Sequence, residues 1–173
     1  ADWAADPERA GGGPVIDWGP YDLAFHLGLL GAPRAVKGVS ATAKLEDGIE
    51  RHATAIVELE GDIAYHFERG GGAPYEEAST TRIHGLQGTL VLGYQPWEPQ
   101  EIDLLTRAAD GRLERETLTC SYERNWHENT YLLEHFVECI ARTARPVMPL
   151  DRARENLAVV LGVLAEIRRK QEQ

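Results

Sequence analysis

Alternation of apolar and polar residues dominates the middle of the chain. The clearest run has its apolar positions at Ala55, Val57, Leu59, Ile63, Tyr65 and Phe67. Polar residues lie between them, and Gly61-Asp62 interrupts the run without changing its parity. Because successive strand side chains point to opposite faces, this pattern predicts an antiparallel hairpin with one polar face. Weaker alternation predicts further strands at 39–45, 79–84, 89–94, 102–106 and 113–120.

A helical period appears at both ends of this strand-rich region. A glycine-rich loop leads into a predicted helix that begins near Asp17 and stops at Gly31-Ala32-Pro33. Two further helices, at 129–143 and 151–169, each carry one apolar stripe. Strands bracketed by helices predict an α+β fold: a mainly antiparallel sheet with helices packed on one face and the other face open. We expect residues 1–10 to form an extended arm and 11–173 to form a single domain.

Composition narrows the class of protein. The 173 residues are 43% hydrophobic and 27% charged, which is an ordinary balance for a soluble globular protein. A net charge of −10 argues against binding to nucleic acid or to an anionic membrane surface. No apolar run approaches the roughly 20 residues that a membrane helix needs, and no signal peptide is evident. We therefore expect a cytoplasmic protein without nucleic-acid or membrane partners.

The two cysteines predict no disulfide framework. Cys120 and Cys139 form no CxxC pair, and both fall in segments predicted to be regular structure, so we expect reduced thiols near the core. His135 and Cys139 lie four residues apart on a predicted helix and could ligate a metal. No second pair with ligand spacing accompanies them, and the sequence therefore predicts no metal site.

Candidate chemistry is concentrated at the start of the first predicted helix. Asp17 and Tyr21 are four residues apart, so their side chains project from one helical face and could share a pocket. Trp18 and Asp22 flank them and could line it. The sequence leaves simpler roles open. Tyr21 could be a boundary tyrosine and Asp17 a helix cap. Asp22 could be an exposed acid, and Trp18 could be a buried indole.

The same stretch resembles the substrate-domain signature of the glucose-fructose oxidoreductase, inositol dehydrogenase and MocA family of nicotinamide-dependent oxidoreductases. That signature has three glycines, then D-x-G-x-(H or Y), then an apolar helix and a glycine. Gly11-Gly12-Gly13, Asp17, Gly19, Tyr21 and Leu29-Leu30-Gly31 match it. Segments 81–90 and 129–140 are similar to a strand-turn-strand and a helix of the same family.

The resemblance implies a substrate-binding and oligomerisation domain of an NAD- or NADP-dependent enzyme acting on a sugar, polyol or related hydroxylated molecule. It implies Tyr21 as the acid/base, Asp17 as an orienting group, and Trp18 and Asp22 as substrate contacts. Family members bind the coenzyme mainly through an N-terminal Rossmann domain with a G-x-G-x-x-G turn, which we do not find in this chain.

We accordingly expect no cofactor on this chain, no activity from it alone, and a homo-oligomer formed through the open sheet face. The alternative is a non-catalytic ligand-binding or dimerisation module with the same fold. The glycine clusters at 11–13 and 70–72 follow no predicted parallel strand, so neither is predicted to bind phosphate.

Overall fold

The computed structural model describes residues 6–30, 36–70, 80–93, 101–119 and 128–173. Its helices are α1 (Pro7–Ala10), α2 (Pro14–Leu29), α3 (Glu128–Ile140) and α4 (Leu150–Gln171). Its strands are β1 (Val36–Glu46), β2 (Ile49–Leu59), β3 (Ile63–Gly70), β4 (Thr81–His84), β5 (Thr89–Leu92), β6 (Glu101–Arg107) and β7 (Leu113–Thr119). Every strand pair is antiparallel, which confirms the predicted α+β class.

The residues group into two compact units where the sequence predicted a single domain over 11–173. The first unit comprises residues 1–73 and 146–173, and the second comprises 74–145. The strands accordingly form two sheets, one with the order β1-β2-β3 and one with the order β4-β5-β6-β7.

The first unit is a three-stranded sheet covered on one face by α2 and α4. The register places Ala41 beside Ala55 and Ala55 beside Phe67, so the apolar parity of the sequence becomes the inner face. The turn between β2 and β3 has positive φ at Gly61 and Asp62. The buried core comprises Val15, Leu23, Ala41, Ala53, Ala55, Val57, Leu59, Phe67, Val159, Val160, Val163, Leu164 and Ile167.

The opposite face of this sheet is exposed and mostly polar. Thr54, Glu58, His66 and Glu68 all point to solvent there, together with the apolar residues Ala64 and Ile56, the latter 41% exposed. The predicted arrangement, with helices on one face and the other face open, is therefore confirmed for this unit.

The N-terminal segment differs from the predicted extended arm, because Pro7–Ala10 form one helical turn. The Asp6 carboxylate accepts hydrogen bonds from the backbone N–H groups of Glu8 (3.0 Å) and Arg9 (3.3 Å). An aspartate cap followed by proline at the first helical position is a standard helix start, so the prediction of an extended arm overlooked a local signal. Residues 1–5 lie outside the described residues.

The second unit contains the four-stranded sheet and α3. The strands predicted at 102–106 and 113–120 correspond to β6 and β7, which pair as a hairpin with Gly111 at a φ of 86° in the turn. The apolar residues of α3 are exposed; they are Tyr131, Leu132, Leu133, Phe136, Val137 and Ile140.

One of the two cysteines lies within the described residues. Cys139 is a free thiol, and its Sγ lies 3.5 Å from His135 Nε2, whereas Cys120 lies outside the described residues. Within the described ranges, no group of three or more His, Cys, Asp or Glu residues could hold a metal ion. No helix in those ranges is long and apolar enough to cross a membrane.

Candidate functional site

The three glycines bring the start of α2 against β2. A Cβ on Gly13 would overlap the backbone carbonyl oxygen of Glu50 and lie 2.7 Å from Ile49 Cγ2. A Cβ on Gly12 would lie 3.3 Å from Glu50 Oε1. Gly11 has a φ of 75°, a left-handed conformation that favours glycine. The glycine run therefore permits a close approach of helix to strand.

Glu50 occupies the N-terminus of α2. It is only 3% exposed, and its Oε1 accepts a hydrogen bond from the Val15 N–H at 3.2 Å. Gly13, the N-cap residue, has no side chain to supply this bond. A helix N-terminus favours negative charge, so a carboxylate from β2 serves as the cap. The Glu50 side chain therefore occupies the end of α2 beside the glycine run.

Below its exposed face, α2 packs on a row of β3 side chains. Tyr65, Phe67 and Arg69 share the inner face of β3. The helix runs in the opposite direction to the strand, because Asp22 contacts Arg69 and His26, further along α2, contacts Tyr65. Arg69 donates two hydrogen bonds to Asp22, from Nε to Oδ2 at 2.6 Å and from Nη2 to Oδ1 at 2.5 Å. Asp22 is 6% exposed and the Arg69 side chain is 18% exposed, so this bidentate ion pair is mostly buried.

A second polar contact lies one turn further along α2. His26 Nδ1 is 2.9 Å from the Tyr65 hydroxyl oxygen. Burial lowers the pKa of His26; the nearby Asp22 carboxylate opposes this shift and the Arg69 guanidinium adds to it. Burial raises the pKa of Tyr65, and Asp22 shifts it in the same direction. Both groups are therefore neutral near pH 7 and share one hydrogen bond.

The exposed face of α2 carries two aromatic rings. Trp18 is 48% exposed and Tyr21 is 66% exposed; their ring centroids are 5.9 Å apart and their planes are tilted by 49°. Asp17 is exposed one turn before Tyr21. Among the described residues, neither the Asp17 carboxylate nor the Tyr21 hydroxyl has a hydrogen-bond partner. Arg69 Cζ lies 5.6 Å from the Trp18 ring centroid, so the buried ion pair underlies this aromatic face.

The four predicted site residues thus separate into two groups. Asp17, Trp18 and Tyr21 are exposed and available to a ligand, whereas the Asp22 carboxylate points inward to Arg69. Glu50 and Arg69 are not among the residues predicted from the sequence. Arg69 falls on the same parity as Tyr65 and Phe67, and a charged residue at an inward-facing position signals a buried partner.

The shifted His26 pKa predicts a pH-dependent stability. In the unfolded chain a histidine has a pKa near 6.5, and the folded value is lower. Below pH ~6.5 the unfolded state therefore binds the extra proton, and the free energy of unfolding falls by up to about 1.4 kcal/mol per pH unit until the folded pKa is reached. Well above pH ~6.5 His26 is neutral in both states and contributes no slope.

Urea unfolding of the whole protein at pH 5, 6, 7 and 8 measures this effect, and His26→Phe should remove the slope assigned to this residue. The exposed His66 provides the control, and His66→Phe should leave the pH dependence unchanged. A His26→Phe protein with the wild-type pH profile would contradict the assignment.

An antiparallel α+β unit with an exposed aromatic face on its first long helix defines the class of domain. The chain belongs to the GFO/IDH/MocA C-terminal domain family, whose model matches residues 1–91. The match contains the glycine run, α2 and the whole three-stranded sheet. No protein with a curated description matches the chain.

Solved structures share the fold over nearly the whole chain. An NAD-binding oxidoreductase from Klebsiella pneumoniae has a TM-score of 0.75 at 15% identity, covering 96% of this chain and 51% of its own. Levoglucosan dehydrogenase in complex with NADH has a TM-score of 0.76 at 13% identity, with coverages of 98% and 52%. UDP-N-acetylglucosamine 3-dehydrogenase from Acidithiobacillus ferrooxidans has a TM-score of 0.70 at 17% identity, with coverages of 88% and 46%. The chain spans about half the length of these proteins.

Proposed function

We propose that this chain is the substrate-binding and oligomerisation part of a cytoplasmic NAD- or NADP-dependent oxidoreductase that acts on a sugar, polyol or related hydroxylated molecule. Family membership supports the oxidoreductase class, and two of the similar structures are dehydrogenases of carbohydrate compounds by name. The observation that carries the proposal is the exposed face of α2, where Trp18 and Tyr21 lie together with Asp17 one turn away.

Each of these side chains suits a hydroxylated ligand. The indole of Trp18 offers an apolar surface for the C–H face of a sugar ring. The Asp17 carboxylate can accept a hydrogen bond from a ligand hydroxyl. The phenolate form of Tyr21 can accept the proton of the substrate hydroxyl that is oxidised, and the phenol that results can return it in the reverse reaction. Asp22 would reach a ligand only by leaving Arg69, so we assign it to holding Arg69 and not to substrate contact.

The glycine run at the start of α2 does not fit a dinucleotide pyrophosphate. The helix N-terminus beside the glycine run is filled by the Glu50 carboxylate, which would repel a pyrophosphate. In this proposal the coenzyme is bound by other parts of the whole protein. The present residues hold the substrate and move its proton at Tyr21 Oη.

Replacing Tyr21 by phenylalanine in the whole protein tests the proposal. We expect reduction of NAD or NADP with a panel of sugars and polyols to fall by about a hundredfold or more in kcat, because the proton acceptor is lost. Substrate affinity should change little, since the ring remains. The matched control is Tyr131→Phe, at a tyrosine that is equally exposed but lies in the other unit.

Two results would contradict the proposal. A Tyr21→Phe enzyme with wild-type kcat would exclude the acid/base role. A whole protein that reduces neither coenzyme with any hydroxylated compound would favour the alternative, a non-catalytic ligand-binding or dimerisation module.

Sedimentation of the whole protein tests whether it forms an oligomer. The interface that we propose for the oligomer is the polar open face of the sheet around Ile56.

A further inference from the structure

We propose that Arg69 is a positioning residue that fixes the orientation of Trp18 and thereby the shape of the ligand-binding face of α2. The inference rests on the proposed function, because it assigns a task within the same site. Its basis is that one guanidinium from β3 contacts two residues of α2 that lie one helical turn apart. It bonds to Asp22 through two nitrogens and lies 5.6 Å from the Trp18 ring centroid.

The buried ion pair gives the guanidinium a fixed place. Asp22 is 6% exposed, and both of its carboxylate oxygens accept hydrogen bonds from Arg69. A planar fork bonded at two points has little rotational freedom, and breaking the pair would strand a charge in a desolvated position. The position of Arg69 is therefore set by Asp22 and by its own place on β3.

Trp18 gains its orientation from this fixed cation. A guanidinium within about 6 Å of an indole centroid attracts the ring, and the attraction holds one side of the ring against Arg69. Because the indole is still 48% exposed, much of its surface remains for a ligand. The neighbouring Tyr21 ring, 5.9 Å away, packs beside an indole that is already held. Arg69 thus acts on the ligand through Trp18 and need not touch it.

Lysine cannot replace arginine in this arrangement. An ammonium keeps the positive charge opposite Asp22, but it has no planar fork to bond both oxygens and stack on the indole together. Arg69→Lys therefore separates positioning from charge. We expect an approximately fivefold rise in KM for the hydroxylated substrate, with kcat changed by less than about twofold, since the acid/base group is untouched.

The test uses the whole protein labelled with 5-fluorotryptophan, in which Trp18→Phe identifies the Trp18 fluorine resonance. We expect this resonance to shift and broaden in Arg69→Lys and in Asp22→Asn, because both variants release the indole. Ile167→Val, a cavity-forming change in the α4 core, is the stability control and should leave the resonance in place.

A Trp18 resonance and a KM that match the wild type in Arg69→Lys would overturn the inference. So would an equal change in Ile167→Val, which would mark the effect as general loosening of the fold. The fluorine resonance of Trp18 can be measured whether or not the protein has enzymatic activity. A protein that reduces no coenzyme but shows the Trp18 shift would therefore contradict the proposed function while leaving the positioning role supported.

Discussion

Replacing Gly13 by alanine should lower the free energy of unfolding by about 3 kcal/mol or more. The new Cβ would overlap the Glu50 carbonyl oxygen and approach Ile49 Cγ2 to 2.7 Å. Neither neighbour can yield easily, because one is strand backbone and the other belongs to a residue that is 1% exposed. The helix would have to move away from β2, and Glu50 would then lose its hydrogen bond to Val15.

Gly28 in the same helix provides the matched control. A Cβ there has no neighbour within 4 Å, so Gly28→Ala should stabilise the helix by about 0.5–1 kcal/mol through propensity alone. Urea unfolding of the whole protein, followed by circular dichroism, compares the two variants with the wild type. Equal stability of the Gly13→Ala and Gly28→Ala proteins would show that the close approach at Gly13 is not needed.

The strand pattern was predictable from sequence because it depends on local periodicity. The alternation from Ala55 to Phe67 specifies which side chains face inward in β2 and β3, and the structure has that register. Resemblance to the family singled out the stretch that became α2. The predicted helix start near Asp17 was late, because Pro14 begins the helix and its cap comes from another element.

Contacts between distant residues were not predictable in this way. Glu50 caps Val15 across 35 positions of sequence, and Arg69 bonds Asp22 across 47. Periodicity indicates that a side chain faces inward, but it does not identify the residue that the side chain contacts. Asp22 is buried and Trp18 is exposed because of where each lies relative to Arg69. The sequence does not show this contact, so it leaves the burial of both residues open.

The Asp22–Arg69 pair also predicts a strongly non-additive effect on stability. Asp22→Leu alone should lower the free energy of unfolding by about 3 kcal/mol, because the mostly buried Arg69 guanidinium loses the carboxylate that accepts two of its hydrogen bonds. Adding Arg69→Met should restore the free energy of unfolding to within about 1 kcal/mol of the wild type, since two apolar side chains can pack where the charges were.

The exposed pair between Arg154 and Asp151 supplies the comparison, at 3.9 Å on the surface of α4. Arg154→Met should change the free energy of unfolding by less than about 0.5 kcal/mol, because solvent screens such pairs. A double variant as unstable as Asp22→Leu would mean that the loss of stability comes from packing and not from the charge left on Arg69.

A stable double variant would separate the effect on function from the effect on folding. In that protein α2 is folded but Trp18 no longer has a cation beside it. A rise in KM would then come from the changed orientation of the indole.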